Sequence, residues 1–392
     1  MRQPARLPVI RSRERHLTRR GVLWLGLRCD VRCKFCYDEH VPTAQKGWLS
    51  VEDAIRALEK FRFYYGNEFV DFMGGEPTLH PAILDITAHA ASIGLRPTVI
   101  THGMHLAKPE RAAALADAGV HDVLVSIHGL GATAGEIHGR GRHNAARQIQ
   151  ALDNLRELGV PFRFNVTVIR DNLTQLEAIA ALAAAKGARV VNFLTFNPYF
   201  EWQRGIEIGF QVRHSEAAPY LRRAIGICSA AGVEANVRYM PLCALPGYEQ
   251  HVYTGFQLPY DQHEWDYNSW YDTGHPGRPG EAWYYQASRR QQQRHDYRHV
   301  PACGQCALRG ICDGFHAQYA ARWGGAEAVP YPGPLITDPR HFIQHQDKNQ
   351  YPATPSDPGG PAQPGTAGEA LAAPLGLGAG GGAGARHNLP AG

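Results

Sequence analysis

From residue 21 onward, short runs of β-branched and apolar residues alternate with longer stretches whose apolar positions recur at helical spacing. The runs cover 22–27, 69–73, 98–101, 123–127, 164–169 and 190–196. The longer stretches predict helices over 49–63, 81–92, 109–117, 143–158, 173–186 and 217–231. Ser50 stands where the first helix needs an N-cap, and Glu52 and Asp53 follow in its first turn, where acidic side chains complement the helix dipole. Gly94, Gly119, Gly159, Gly187 and Gly232 fall just past helix ends, the place of a left-handed cap. Six strand–helix units in series predict an α/β fold built on a parallel sheet, an open six-stranded barrel. Ligands of such folds sit at the carboxyl ends of the strands.

The pattern changes near residue 233. Residues 240–302 are loop-rich and aromatic, and from 351 the chain is mostly Pro, Gly and Ala. Four parts are expected: a basic extension over 1–20, the barrel over 21–232, a smaller domain over 233–345, and a tail over 346–392. The tail has too little apolar surface to order itself.

With 392 residues, 44% of them hydrophobic and 19% charged, the chain can bury a sizeable core unaided. A net charge of +4 is too mild to argue for nucleic acid or a membrane surface as partner. No stretch approaches the 18 apolar residues of a membrane-spanning helix. The Arg-rich start has no long apolar run behind it, so no secretory signal is read there and the cytoplasm is expected. In that reducing compartment the eight cysteines are not expected to form disulfides. Most fall into two clusters, a spacing that points to metal.

The first cluster, Cys29, Cys33 and Cys36, follows the first strand with C-x3-C-x2-C spacing. Three thiolates in so short a loop suit an iron–sulfur cluster with one iron left open. A zinc loop completed by His40 is the other reading, since structural zinc takes four protein ligands.

This motif at this place resembles the radical S-adenosylmethionine (SAM) superfamily, whose barrel is a partial (β/α)6 barrel of the TIM type. The resemblance covers roughly residues 20–232. It implies a [4Fe–4S] cluster on Cys29, Cys33 and Cys36 whose open iron is chelated by SAM, with Phe35 near the adenine. Gly74-Gly75-Glu76-Pro77, at the end of the second strand, is similar to the family's GGEP turn. That implies a backbone and a glutamate holding the methionine amino group. Paired glycines permit close backbone approach to a ligand, and Pro77 biases Glu76 to an extended conformation. Thr101-His102-Gly103 ends the third strand where the family often has Thr-Asn-Gly. Ser126-Ile127-His128-Gly129 ends the fourth, and the resemblance implies a bond from Ser126 to the SAM ribose or carboxylate. His102 and His128 depart from the family pattern. Arg140, Arg142 or Arg147 would suit the SAM carboxylate; each suits a solvated helix start equally. Asn165 and Asn197, at the fifth and sixth strand ends, are candidate substrate contacts or turn residues.

The second cluster, Cys303, Cys306 and Cys312, reads C-x2-C-x5-C, and Cys243 supplies a fourth thiolate. It resembles the auxiliary-cluster (SPASM or shorter Twitch) domains of radical SAM enzymes, and implies a second [4Fe–4S] cluster with four protein ligands. His316 stands where the longer pattern has a further cysteine. A zinc ribbon on the same four cysteines is the alternative. Cys228, mid-helix, reads as a small core residue. The aromatic and acidic stretch 261–271 reads as either pocket lining or packing.

The resemblance implies an enzyme that reductively cleaves SAM to a 5′-deoxyadenosyl radical and abstracts hydrogen from substrate. The expected electron donor is a flavodoxin or ferredoxin. The auxiliary cluster points to an oxidoreductase. The short segment before the first strand favours a small-molecule substrate of natural-product biosynthesis, of sugar or aminocyclitol type. A peptide maturase is the alternative, and a non-catalytic, zinc-stabilised binding protein the third reading.

Overall fold

The computed structural model describes residues 10–12, 19–36, 38, 46–139, 144–198, 207–265, 270–271 and 296–350, with backbone only at 10–12, 207–208, 270–271 and 350. His40, Arg140, Arg142, residues 266–269 and the tail from 351 lie outside the described residues. Residues 1–352 make one compact unit.

Strand β1 is Ile10–Ser12. The parallel sheet then runs through β2 (Arg20–Trp24), β3 (Phe69–Met73), β4 (Arg96–Thr101), β5 (Asp122–Ser126), β6 (Phe162–Val168), β7 (Val190–Thr195), β8 (Glu234–Arg238) and β9 (Val252–Tyr253). These eight pair in chain order, and β10 (Trp270–Tyr271) adds on beside β2. The sheet curls as an open partial barrel with helices outside, so the predicted fold class holds. β2 to β7 are the six predicted strands, shifted by up to three residues at their ends.

Strands β8 and β9 were not predicted, and the inner face explains why. Glu234, Asn236 and Arg238 alternate along β8 and are all buried, so the strand carries no apolar run to read. Each has a partner. Arg238 is paired with Asp261 at 2.7 Å and with Glu264, and Lys348 reaches Glu234. The same device recurs across the barrel. Arg20 and Arg163 are fully buried, Arg20 against Asp71 and Arg163 against Asp122, with Thr98 bonded to Asp122 between them. Buried charges persist only when paired and hydrogen-bonded in this way.

That row decides the reading of the 261–271 stretch. Asp261 and Glu264 are buried ion partners, and the Trp265 indole donates to Asp71 at 2.8 Å. The described part of the stretch is packing for the barrel interior. Residues 346–350, at the head of the expected tail, are ordered: β13 (Lys348–Gln350) pairs antiparallel with β1, and Lys348 and Asn349 are buried. Nor does position 232 mark a break in the core, because Leu242, Leu245, Leu308 and Ile311 share one apolar cluster with the barrel strands and helices.

Candidate functional site

Chain segments converge at the carboxyl ends of β2 to β5. The loop after β2 carries Cys29, Cys33 and Cys36. It is pinned to the end of a helix (Gly131–Ile137) by backbone bonds from Arg32 to the His138 carbonyl (2.9 Å) and from Lys34 to the Ile137 carbonyl (3.0 Å). Within the loop the Cys36 N–H donates to the Cys33 carbonyl at 2.9 Å. Burial, with the charges of Glu76, Cys36 and Asp30, pushes the Cys29 thiol up to about 12. Without a cation this thiol stays protonated; a metal centre would displace the proton and hold the thiolate.

The 74–77 turn lies directly on this loop. Gly75 and Glu76 donate backbone N–H groups to the carbonyls of Gly26 and Arg28, each at 2.8 Å. A Cβ on Gly75 would stand 2.2 Å from the Arg28 oxygen, and one on Gly74 2.1 Å from the Gly26 oxygen. The paired glycines therefore buy close approach to the strand feeding the cysteine loop. Pro77 is buried and opens a single helical turn.

The carboxylate of Glu76 is buried and engaged by the chain itself. Oε1 accepts from the Thr78 hydroxyl (2.6 Å), the Thr78 N–H (3.1 Å) and the Thr101 hydroxyl (2.6 Å), and Oε2 from the His102 N–H (2.9 Å). The glutamate expected to grip a ligand thus ties the ends of β3 and β4 together, and Thr101 spends its proton on it. The His102 ring reaches Asp30 at 2.8 Å, and His105 approaches the other Asp30 oxygen at 3.3 Å. Hydrogen bonds from these two imidazoles hold the Asp30 carboxyl well below the usual carboxylate range. Burial disfavours charge on His102, yet Glu76 and Asp30 raise its pKa. Asp30, next to Cys29 in sequence, and His102 were not singled out as partners; their spacing of 72 residues hides the contact from a sequence pattern.

Phe35 packs edge-on against His128 with ring centroids 4.9 Å apart. Burial pushes the His128 pKa down to about 3, and its Nδ1 accepts the Thr167 N–H at 3.1 Å, so it is a neutral core residue. The Ser126 carbonyl accepts from Gln148 at 2.8 Å; its side chain, like that of Asn165, is half-buried at the sheet's inner face. Asn197 is buried and used up, bonding the Tyr239 carbonyl at 3.0 Å and Gln211 at 3.0 Å. Arg147 is exposed and bonds the Met104 carbonyl at 3.1 Å.

The second cysteine set meets in space. Cys243, Cys303, Cys306 and Cys312 line one pocket together with Leu308, Phe315 and Val329. Cys303 and Cys306 come from a pair of short helical turns, and Cys312 lies just before β12 (Phe315–His316), which pairs antiparallel with β11 (Tyr297–Arg298). Burial raises the Cys243 and Cys303 thiols and pushes Cys312 up to about 12. Two sulfurs already accept backbone N–H groups, Cys306 from Tyr331 at 3.3 Å and Cys312 from Gly314 at 3.4 Å. Such bonds tune iron–sulfur thiolates. Among the described residues no three of the cysteine sulfurs in either set lie within 4.8 Å of one another. Zinc bonds of about 2.3 Å to a tetrahedron of thiolates would hold the sulfurs closer, about 3.8 Å apart. His316 caps the helix Ala317–Trp323 through Nδ1 and does not line the pocket. Cys228 is buried within His214–Ala230, in the core.

Residues 25–183 match the Radical SAM superfamily. This stretch is a radical SAM domain. The domain implies a [4Fe–4S] cluster and SAM, and the cysteines for clusters are present in both places. The chain is 30% identical over 177 residues to a PqqA peptide cyclase of Methylorubrum populi, covering 45% of each chain. It is 30% identical over 201 residues to an AdoMet-dependent heme synthase of Oleidesulfovibrio alaskensis, covering 50% of each. It spans about half the length of these curated relatives. Among solved structures, SuiB of Streptococcus suis bound to S-adenosylmethionine superposes with a TM-score of 0.50 at 16% identity, over 59% of this chain and 53% of that one; the likeness is one of fold. Among the described residues no helix is long and apolar enough to cross a membrane.

Proposed function

We propose that this protein is a radical SAM enzyme of natural-product biosynthesis that modifies a peptide. The observation that carries the reading is the placement of Cys29, Cys33 and Cys36 at the carboxyl end of the first barrel strand, fastened to the 74–77 turn. When bound, a [4Fe–4S] cluster would supply one electron to SAM, whose sulfonium C–S bond would break to release methionine and a carbon radical able to take hydrogen from an unactivated C–H. The chain's own residues do the rest. The three cysteines hold the cluster. The backbone of the 74–77 turn, the half-buried Ser126 and the ring of Phe35 are offered to SAM. The curled sheet shields the reacting groups from water.

The peptide reading displaces the expected sugar or aminocyclitol, supported by the likeness to a PqqA peptide cyclase. On this account Cys243, Cys303, Cys306 and Cys312 hold a second, fully protein-ligated [4Fe–4S] cluster able to take an electron back from the substrate, which makes the enzyme an oxidoreductase. A flavodoxin or ferredoxin in the cytoplasm would supply the first electron.

The test is reductive cleavage. Anaerobically purified protein given dithionite and SAM should release 5′-deoxyadenosine, and the Cys29→Ala, Cys33→Ala, Cys36→Ala triple variant should release none. Equal release from both would overturn the proposal.

A further inference from the structure

Cys29, Asp30 and His102 bring a sulfur, a carboxylate oxygen and an imidazole nitrogen within 4.8 Å of one another. At first sight this is a mononuclear metal site. The other ring nitrogen argues against it. His102 Nδ1 accepts the Met104 N–H at 3.1 Å, so the ring keeps its proton on Nε2, which faces Asp30 at 2.8 Å and Glu76 at 3.2 Å. A neutral histidine bound to metal through Nε2 would carry its proton on Nδ1 and donate it, against the Met104 N–H. Nε2–H is therefore a donor.

We propose that His102 is a positioning residue for the first cluster, locking the cysteine loop to the 74–77 turn through Asp30 and Glu76. This rests on the assignment of Cys29 to that cluster. The side-chain N–H holds Asp30, beside Cys29, while the backbone N–H holds Glu76 at 2.9 Å. His105 takes the second Asp30 oxygen at 3.3 Å and lies 3.4 Å from the exposed Arg111 guanidinium. One residue thus fixes the distance between the thiolate loop and the backbone offered to SAM. The ring spans from the end of β4 to Asp30 and still leaves Nδ1 for the chain.

The test uses the reconstituted protein with both clusters and follows the reduced-cluster EPR signal that changes when SAM is added, which identifies the first cluster. Two quantities are read: the midpoint potential of that signal, and the rate at which an iron chelator removes it. His102→Leu and Asp30→Leu should each speed its loss about 10-fold or more, the usual cost of an outer-shell partner, and should shift its potential. His102→Gln, whose amide can still donate to Asp30, should restore most of both. The double leucine variant should be no worse than the worse single one, as expected of two ends of one contact. Wild-type rates and potential in His102→Leu would overturn the proposal. So would a glutamine variant as damaged as the leucine one, which would make the ring a packing residue. A thiolate-to-cobalt band on adding cobalt(II) to cluster-free protein, lost in His102→Leu, would overturn it in favour of ligation. Absence of any SAM-responsive signal in wild type would instead sink the assignment of Cys29 itself.

Discussion

A methyl group on residue 75 would stand 2.2 Å from the Arg28 carbonyl oxygen, an approach that backbone atoms cannot yield to without moving the cysteine loop. Gly75→Val should therefore lose first-cluster iron and SAM affinity together, while iron on the second set of cysteines stays. Iron per chain and equilibrium dialysis with SAM would check this. Loss of SAM affinity at full iron content would mean that the glycine faces the ligand and not Arg28. The Gly-Gly pair was legible in the sequence as a point of close approach. What it approaches was not, because the contact depends on β2 and β3 lying side by side. The same holds for Asp30 and His102: His102 stood out as a departure, but its contact with Asp30 spans 72 residues and depends on the fold.

At the scale of elements, the buried charges of the sheet interior make a direct prediction. Burial works against the charged form of Asp122, but Arg163 and Arg20 hold its carboxyl far below the ordinary range. Asp122→Ala leaves Arg163 buried without its carboxylate and should cost about 3–5 kcal/mol, read from a denaturant midpoint. A cost under about 1 kcal/mol would show the pair to be solvated. A second prediction concerns His214, stacked on Tyr319 at 4.0 Å. Burial pushes its pKa down to about 3, whereas the unfolded chain takes up the proton near pH 6.5. The stabilising difference is complete above about pH 6.5 and is lost as pH falls towards the folded value. Between pH 7 and 5 it should remove about 2 kcal/mol, and His214→Phe, which keeps the ring contact, should flatten the stability profile by that much. An unchanged slope would place the proton uptake elsewhere. These elements also mark where sequence reading failed. β3 was legible to the residue because all its positions but Asp71 are apolar, and β8 was missed because its inner face is Glu234, Asn236 and Arg238, neutralised by residues far along the chain. An alternation of charged residues looks solvent-facing until its partners are known.

For the whole molecule, the two cysteine sets were legible because ligand type and spacing are local, and the convergence of Cys243 with Cys303, Cys306 and Cys312 followed from their number. The substrate class was not legible, since nothing in barrel periodicity distinguishes a sugar from a peptide. The central claim is that this chain carries two cubane clusters, one open to SAM and one closed by protein. It is tested most directly by iron and sulfide analysis with Mössbauer spectroscopy on anaerobic wild type and on the Cys29→Ala, Cys33→Ala, Cys36→Ala variant. The account predicts about eight irons in wild type and about four in the variant, still with a [4Fe–4S] signature. Zinc in place of iron in the variant would contradict the second cluster, and an unchanged iron content would contradict the first.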